Sequence, residues 1–212
     1  MNVFYIDTSS SYLYLAILAD NKLLAYQNKK YDSDLSKYTL VEIEKLFNNA
    51  NIKPENIDKI IVVSGPGSFT GIRIGMTFAK IFAWSFKKDI IPITSLEAMA
   101  YSVNQNTLIV PIINARRGYV YAGIYENNTN IFENQYIKLE DLLKYLNTLG
   151  KKYSFVSNDK LFLEYNSINY NPDFVSIVTN VKDKPSVNPH LIEPTYLKLT
   201  EAEENLGNKN DN

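Results

Sequence analysis

Short apolar runs separated by polar turns divide the first hundred residues into strands and helices. Continuous apolar runs such as 57–63 are typical of buried parallel strands. In the first predicted helix Leu40, Ile43, Leu46 and Phe47 recur at helical spacing. The predicted elements of this half are strands at 2–7, 12–18, 23–30, 57–63 and 90–94 and helices at 36–49, 70–86 and 96–102.

The same pattern starts again near Leu108. Ile6-Asp7-Thr8 aligns with Ile113-Asn114-Ala115, and the turn Asp20-Asn21 aligns with Asn127-Asn128. The offset is constant, because 114 − 7 and 127 − 20 both give 107. A helix at 139–149 and a strand at 153–157 are predicted to follow. Either the chain contains two copies of one supersecondary unit, or two unrelated hairpins look alike.

Two such halves facing each other predict an α/β fold of duplicated βββαβα lobes, of the actin/Hsp70/sugar-kinase (ribonuclease H-like) type. The predicted organisation is an N-terminal lobe over 1–103 that carries partner-binding helices, and a C-terminal lobe over 104–200. The charged, Asn-rich residues 201–212 are predicted to form a flexible tail.

The turn after the first strand of each half is where this architecture usually offers an acidic residue and backbone amides to phosphate and magnesium. Asp7, Thr8 and Ser9 are therefore the candidate nucleotide or phosphate residues, although an Asp in such a turn more often binds local backbone amides. The second turn has Asn114, which cannot supply a carboxylate charge. Nucleotide chemistry by this chain alone is therefore not expected.

A glycine-rich segment runs from Ser64 to Gly75. Gly65 and Gly67 permit a tight turn with positive φ after a buried strand, and Ser68 or Thr70 can cap the helix that follows. Backbone amides at a helix start also attract anions, but no Gly-Lys-Ser/Thr follows as in a P-loop. The segment is either a structural turn or a phosphate cradle.

The helix after this turn carries a stripe of small residues four apart: Gly71, Gly75, Ala79 and Ala83. Two glycines in an exposed helix would cost about 1 kcal/mol each relative to alanine, so close packing must offset them. The stripe packs either on this chain's own sheet or on a helix of another chain. The second interpretation gives the predicted partner interface, which comprises Phe69, Gly71, Ile72, Arg73, Gly75, Met76, Ala79 and Ala83.

Composition excludes several kinds of chemistry. The 212 residues carry a net charge of −1, no cysteine and one histidine, His190. Disulfides, thiolate catalysis and multi-histidine metal sites are excluded, and there is no global charge that favours nucleic acid. No catalytic residue and no metal ligand is predicted. Without a secretory signal or a long apolar run, a cytoplasmic protein with no membrane contact is expected.

Several segments resemble the TsaB (YeaZ) family. The most specific is Ser64–Gly75, preceded by Ile60-Ile61-Val62-Val63. The others are Ile6-Asp7-Thr8-Ser9, Ser95–Ala100, Pro111–Tyr121, and Pro194-Thr195-Tyr196-Leu197-Lys198 followed by Ala202-Glu203. The resemblance covers nearly the whole chain. The family pattern often has His where this chain has Leu35, Asp where it has Asn114, and a glycine–aspartate turn where it has Ser157-Asn158-Asp159.

The resemblance implies a non-catalytic paralogue of TsaD that works in the synthesis of threonylcarbamoyladenosine next to the anticodon of tRNA. Its implied partners are a TsaD-like transferase subunit, a TsaE-like ATPase or a second copy of itself through helices of the N-terminal lobe, with tRNA reached only through the complex. It implies no cofactor for this chain alone, and ATP or ADP with magnesium only at the complex interface. Two alternatives are an ATP-dependent phosphotransferase of the sugar-kinase type and a glycoprotease-like hydrolase.

Overall fold

The computed structural model describes residues 1–31, 34–165 and 167–198. The first half contains β1 Asn2–Asp7, β2 Tyr12–Ala19, β3 Lys22–Lys30, α1 Leu35–Ala50, β4 Lys59–Val63, α2 Phe69–Phe86, β5 Asp89–Ile93 and α3 Ser95–Tyr101. The second half contains β6 Leu108–Asn114, β7 Tyr119–Glu126, β8 Thr129–Lys138, α4 Leu139–Leu149, β9 Tyr153–Ser157, β10 Ile168–Asn169 and α5 Phe174–Val181. Short 3₁₀ turns lie at Pro54–Asn56 and Lys160–Tyr165.

The two halves repeat one topology, so the predicted duplication is confirmed. The strand order is β3-β2-β1-β4-β5 in the first sheet and β8-β7-β6-β9-β10 in the second. The first three strands of each sheet form an antiparallel meander, and the next strand joins the central one in parallel. The hairpin turns also match, since Asp20 and Asn21 have φ values of 49° and 62° and Asn127 and Asn128 repeat both values.

The sheets and helices alternate in layers around three apolar clusters. Helices α1 and α2 cover one face of the first sheet, with Ile43, Leu46 and Phe82 against its strands. Helices α3 and α5 lie between the two sheets, in a core shared by both halves. Helix α4 covers the far face of the second sheet. Within the described residues, no helix has the length and hydropathy that crossing a membrane requires.

The small-residue stripe of α2 packs against this chain's own first turn. Thr8 is fully buried, its hydroxyl donates to the Gly71 carbonyl at 2.7 Å, and it accepts from the Gly75 amide at 3.1 Å. A Cβ built at Gly71 would overlap the Thr8 carbonyl oxygen, and one built at Gly75 would overlap the Thr8 hydroxyl. Both glycines are therefore required for the close approach of α2 to β1.

This packing corrects the predicted interface. The prediction that the small-residue stripe packs on a helix of another chain is wrong, because six of the eight predicted interface residues face the chain's own core. The six buried residues are Gly71, Ile72, Gly75, Met76, Ala79 and Ala83. Phe69 and Arg73 are exposed and stay candidates for a partner surface.

The last described residues return to the first half of the chain. Residues 187–198, which we call the strap, belong to the C-terminal lobe predicted from the sequence, but they contact the first half. Val187 bridges to Ile90 of β5, and the Thr195 amide donates to the Ser64 carbonyl at 2.8 Å. The lobe boundary at 103/104 falls between α3 and β6 and stays a prediction. The predicted tail 201–212 and the Ala202-Glu203 motif lie outside the described residues.

We expect Gly75→Ala to destabilise the free chain. The added methyl group meets the buried Thr8 hydroxyl, and such overpacking typically costs about 1–3 kcal/mol. Urea unfolding measures the loss. Thr8→Ala removes the overlapping oxygen, so the double variant should lose less than the sum of the two single losses.

Gly71→Ala is the matched control for this pair. Its methyl group meets the Thr8 backbone carbonyl, which no Thr8 side-chain substitution removes. Thr8→Ala should therefore rescue Gly75→Ala but not Gly71→Ala. Equal rescue of both variants, or full stability of Gly75→Ala, would contradict the assigned packing.

Candidate functional site

The first turn, Asp7–Ser11, lies between two clefts where the halves of the molecule meet. Asp7 is buried and its carboxylate accepts from the Ser9 amide at 2.7 Å. The repeat places Asn114 in the same role, because its side-chain oxygen accepts from the Arg116 amide at 2.8 Å. Both turns thus direct a side-chain oxygen back to their own backbone, as expected for Asp7 from the sequence.

Burial raises the pKa of Asp7 from 3.8 to about 6, and the hydrogen bonds from Ser9 oppose that shift. Desolvation penalises the charged carboxylate, and no described cation lies close enough to oppose that effect. Asp7 is thus a buried acid without a positive partner. A carboxylate that catalyses by donating or accepting protons would need a reacting group within hydrogen-bonding reach.

The first cleft, which we call the strand-end cleft, encloses about 520 Å³ between Asp7 and the end of β9. Tyr14 lines it, and the Asn158 amide donates to the Tyr14 hydroxyl at 2.8 Å. Tyr170 also lines it, and its hydroxyl and that of Tyr5 are the two buried side-chain groups in the described chain that lack a hydrogen-bond partner. Burial raises the pKa of both hydroxyls well above their usual value.

The second cleft, the helix-side cleft, encloses about 900 Å³ beside the start of α2. Ser68 caps this helix, accepting from the Gly71 amide at 3.2 Å, as the sequence predicted. Gly65 and Gly67 adopt φ values of 111° and 158°, so the glycine turn is confirmed as well. Arg116 lines this cleft from the second half of the chain.

The donor groups of these clefts fit a magnesium–phosphate group poorly. Magnesium prefers carboxylate and phosphate oxygens, and the second turn offers the uncharged Asn114. The carboxylate of the first turn is buried and bound to its own backbone. Within the described residues no three side chains among His, Cys, Asp and Glu come together as a metal site. His190 packs edge-on against Trp84 and lines neither cleft.

A third depression, the helix groove, runs between the outer faces of α1 and α2 and encloses about 540 Å³. Its floor and walls are largely apolar. The lining residues are Ser36, Thr39, Leu40, Phe69, Thr70, Arg73, Ile74, Thr77, Phe78 and Ile81. Leu40 is 63% exposed and Ile81 is 59% exposed, so large aliphatic side chains face solvent on both helices. Trp84 of α2 is 64% exposed and lies against His190 of the C-terminal segment, outside the groove lining.

Sequence reasoning missed part of this surface. Leu40 shares the helical spacing of buried Ile43 and Leu46 but lies outside their face of α1. Ile81 and Trp84 belong to a helix that is apolar on several sides, which was the available signal. Contiguous exposed apolar patches are typical of interaction sites. The surface that the small-residue stripe was expected to form lies instead on the opposite side of α2.

Comparison with known proteins identifies the family. The model of the family described as "TsaD: tRNA N6-adenosine threonylcarbamoyltransferase" matches residues 32–206. The tRNA threonylcarbamoyladenosine biosynthesis protein TsaB of Bacillus subtilis is 32% identical over 221 residues, covering 96% of this chain and 96% of that protein. The chain belongs to the TsaB (YeaZ) family.

Other members support the assignment. TsaB of Haemophilus influenzae is 30% identical over 119 residues, which is 55% of this chain and 50% of that protein. A Pseudomonas aeruginosa crystal structure described as similar to peptidase YEAZ superposes with a TM-score of 0.79 at 17% identity, covering 93% of this chain and 99% of the other. At that identity the superposition shows the fold alone: this TsaB-family chain has the duplicated α/β fold of the YeaZ structures.

The buried carboxyl of Asp7 predicts a pH-dependent stability for this TsaB-family chain. The folded state binds the Asp7 proton more tightly than the unfolded state, so stability is lost as the pH rises from about 4 to about 6. A shift of this size corresponds to about 3 kcal/mol. Relative to the wild type, Asp7→Asn should gain stability by up to that amount as the pH rises through this range, measured by urea unfolding.

Asp89→Asn serves as the control, because Asp89 is exposed on β5. Its free energy of unfolding should follow the wild-type pH profile. A constant difference between Asp7→Asn and wild type at every pH would show that the Asp7 carboxyl does not titrate differently in the folded state.

Proposed function

We propose that this chain is a non-catalytic subunit that binds a TsaD-type transferase subunit and activates threonylcarbamoyl transfer to tRNA. The role in tRNA threonylcarbamoyladenosine biosynthesis follows from membership of the family whose curated relatives carry that name. The single observation that carries the subunit role is the helix groove of α1 and α2, an exposed apolar surface on one face of the first lobe.

The apolar face favours a protein partner over a small substrate. Leu40 of α1 and Ile81 of α2 line the same groove and are both largely exposed. Exposed aliphatic and aromatic side chains of this kind stabilise an interface when a partner removes them from water. A helix pair laid along the groove would bury both rows of side chains.

A transferase subunit is the occupant that fits this face. The family model that matches this chain is that of the transferase, and its match includes both α1 and α2. A transferase subunit is therefore expected to carry an equivalent helix pair. Two related helix pairs can pack across an approximate two-fold axis, as in isologous interfaces. The same reasoning admits a homodimer, which the experiments below distinguish.

The chemistry is assigned to the partner. The turn with Asn114 lacks a charge for magnesium, and Asp7 is engaged by its own backbone. In this proposal the chain alone holds no nucleotide, ATP or ADP with magnesium lies only at the complex interface, and a TsaE-like ATPase joins the assembly. The tRNA contacts the complex rather than this chain alone, in keeping with its net charge of −1.

Groove variants test the docking face. Ile81→Asp and Leu40→Asp place a charge on exposed apolar positions, so the free chain should keep its unfolding midpoint. Each should weaken binding to the cognate transferase subunit at least about 30-fold, because the interface would bury a carboxylate that has no cationic partner. Titration calorimetry gives the dissociation constants. Ile131→Asp, on exposed β8, is the matched control and should bind like wild type.

Reconstitution tests the activating role. Transferase and ATPase subunits are assayed for modified tRNA with wild-type chain, with Ile81→Asp, and without the chain. Formation of modified tRNA should require wild-type chain and fail with Ile81→Asp. Equal modification without the chain would refute activation. Magnesium-dependent ATP turnover by the purified chain, lost in Asp7→Ala, would instead support the phosphotransferase alternative. Groove variants that self-associate less but bind the transferase normally would assign the groove to a homodimer.

A further inference from the structure

We infer that Arg73 is a preorganised anchor for a carboxylate of the transferase subunit, and that Tyr196 of the strap is the residue that positions it. The inference rests on the proposed function, because it takes the transferase subunit as the occupant of the helix groove. It adds a charged contact to a face otherwise described by its apolar side chains. It also gives the strap a role in partner recognition.

Arg73 is held from two sides on the exposed face of α2. The carbon at the centre of its guanidinium group lies 3.7 Å from the centroid of the Phe69 ring. Its Nε donates to the Tyr196 hydroxyl at 3.2 Å. The rings of Phe69 and Tyr196 stack with centroids 5.7 Å apart and an interplanar angle of 25°. We call Phe69, Arg73 and Tyr196 the arginine clamp.

The strap fixes the position of Tyr196 through contacts with Ser64, just after β4, and with Lys80 of α2. Thr195, its neighbour, donates its amide to the Ser64 carbonyl at 2.8 Å and pairs with the Ser64 hydroxyl at 2.8 Å. Ile192 is buried in the core under α2, and its carbonyl accepts from Lys80 at 2.9 Å. Tyr196 therefore extends from an anchored backbone and not from a free end.

In the clamp, Phe69 covers one face of the Arg73 guanidinium group and Tyr196 accepts from its Nε. The two terminal nitrogens are left to bind a partner. Arg73 forms no ion pair with any described residue, including Glu193, which lines the neighbouring groove. A guanidinium fork of this kind pairs with a carboxylate through two parallel hydrogen bonds. Holding the side chain in advance removes part of the entropy cost of ordering it on binding.

Arg73 also lies between two grooves of the exposed surface. It lines the helix groove on the α1 side and a second groove of about 340 Å³ on the strap side. Arginine is over-represented among the few interface residues that contribute most to binding. An Asp or Glu of the transferase subunit, beside the helices that fill the groove, is the group that this position fits.

Binding of the full-length chain to the cognate transferase subunit, measured by calorimetry, tests the inference. Arg73→Lys keeps the charge but loses the fork, and we expect at least about a tenfold rise in Kd. Tyr196→Phe keeps the stacked ring and removes only the acceptor of Nε, with an expected rise of about three- to tenfold. The double variant should bind no more weakly than Arg73→Lys alone, because Tyr196 acts through Arg73.

Controls separate this role from a structural one. Both single variants should keep the wild-type unfolding midpoint, and Arg117→Lys, the same change at an exposed turn, should keep the wild-type Kd. If Ile81→Asp abolishes binding while Arg73→Lys and Tyr196→Phe bind like wild type, the docking face stands and the anchor is refuted. Additive losses in the double variant refute the positioning role. Failure of the wild-type chain to bind refutes the proposed function and the anchor together.

Discussion

The contact between Thr8 and the two glycines of α2 determines which side of that helix reaches solvent. The hydroxyl of Thr8 is inserted between Gly71 and Gly75 and hydrogen-bonds to both backbones. A side chain at either position would overlap Thr8 and prevent this close approach. Because the helix is thereby fixed in rotation about its axis, Arg73 and Ile81 must lie on the outer face. The buried stripe and the exposed face are two consequences of one contact.

The turn that makes this contact also contains a buried carboxylate. The turn that contains Thr8 also contains Asp7, and both residues are occupied by the protein itself: Thr8 by α2 and Asp7 by the Ser9 amide. A turn used in this way stabilises the junction of β1 and α2. Its repeat at Asn114 keeps the backbone hydrogen bond but not the charge. The duplicated fold thus retains the geometry of both turns while only one of them carries an acid.

Local patterns predicted the strands of the first half, most helix bounds and the duplication, since these depend on periodicity and turn residues within short windows. The equal φ values at Asp20 and Asn127 are a direct consequence of such local chemistry. The sequence pattern could not show what the small-residue stripe packs against. Helical spacing tells which residues share a face of α2, but not which part of the protein that face contacts. Leu40 illustrates the same limit: it has the spacing of core residues but is exposed. Strand β10 and helix α5, which complete the second lobe, were not predicted.

The strap shows why long-range contacts decide which side chains meet on the outer face of α2. Tyr196 lies 123 positions from Arg73 in the chain, and no window-based pattern relates them. They meet because Thr195 is anchored to Ser64, at the end of the strand that leads into the glycine turn and α2. The glycine segment therefore has two functions in one stretch of sequence. Its small residues allow α2 to pack closely against the turn after β1. Its larger residues, Phe69 and Arg73, face outward and contact Tyr196 of the strap. The apolar helix groove therefore has a directional polar group at its edge.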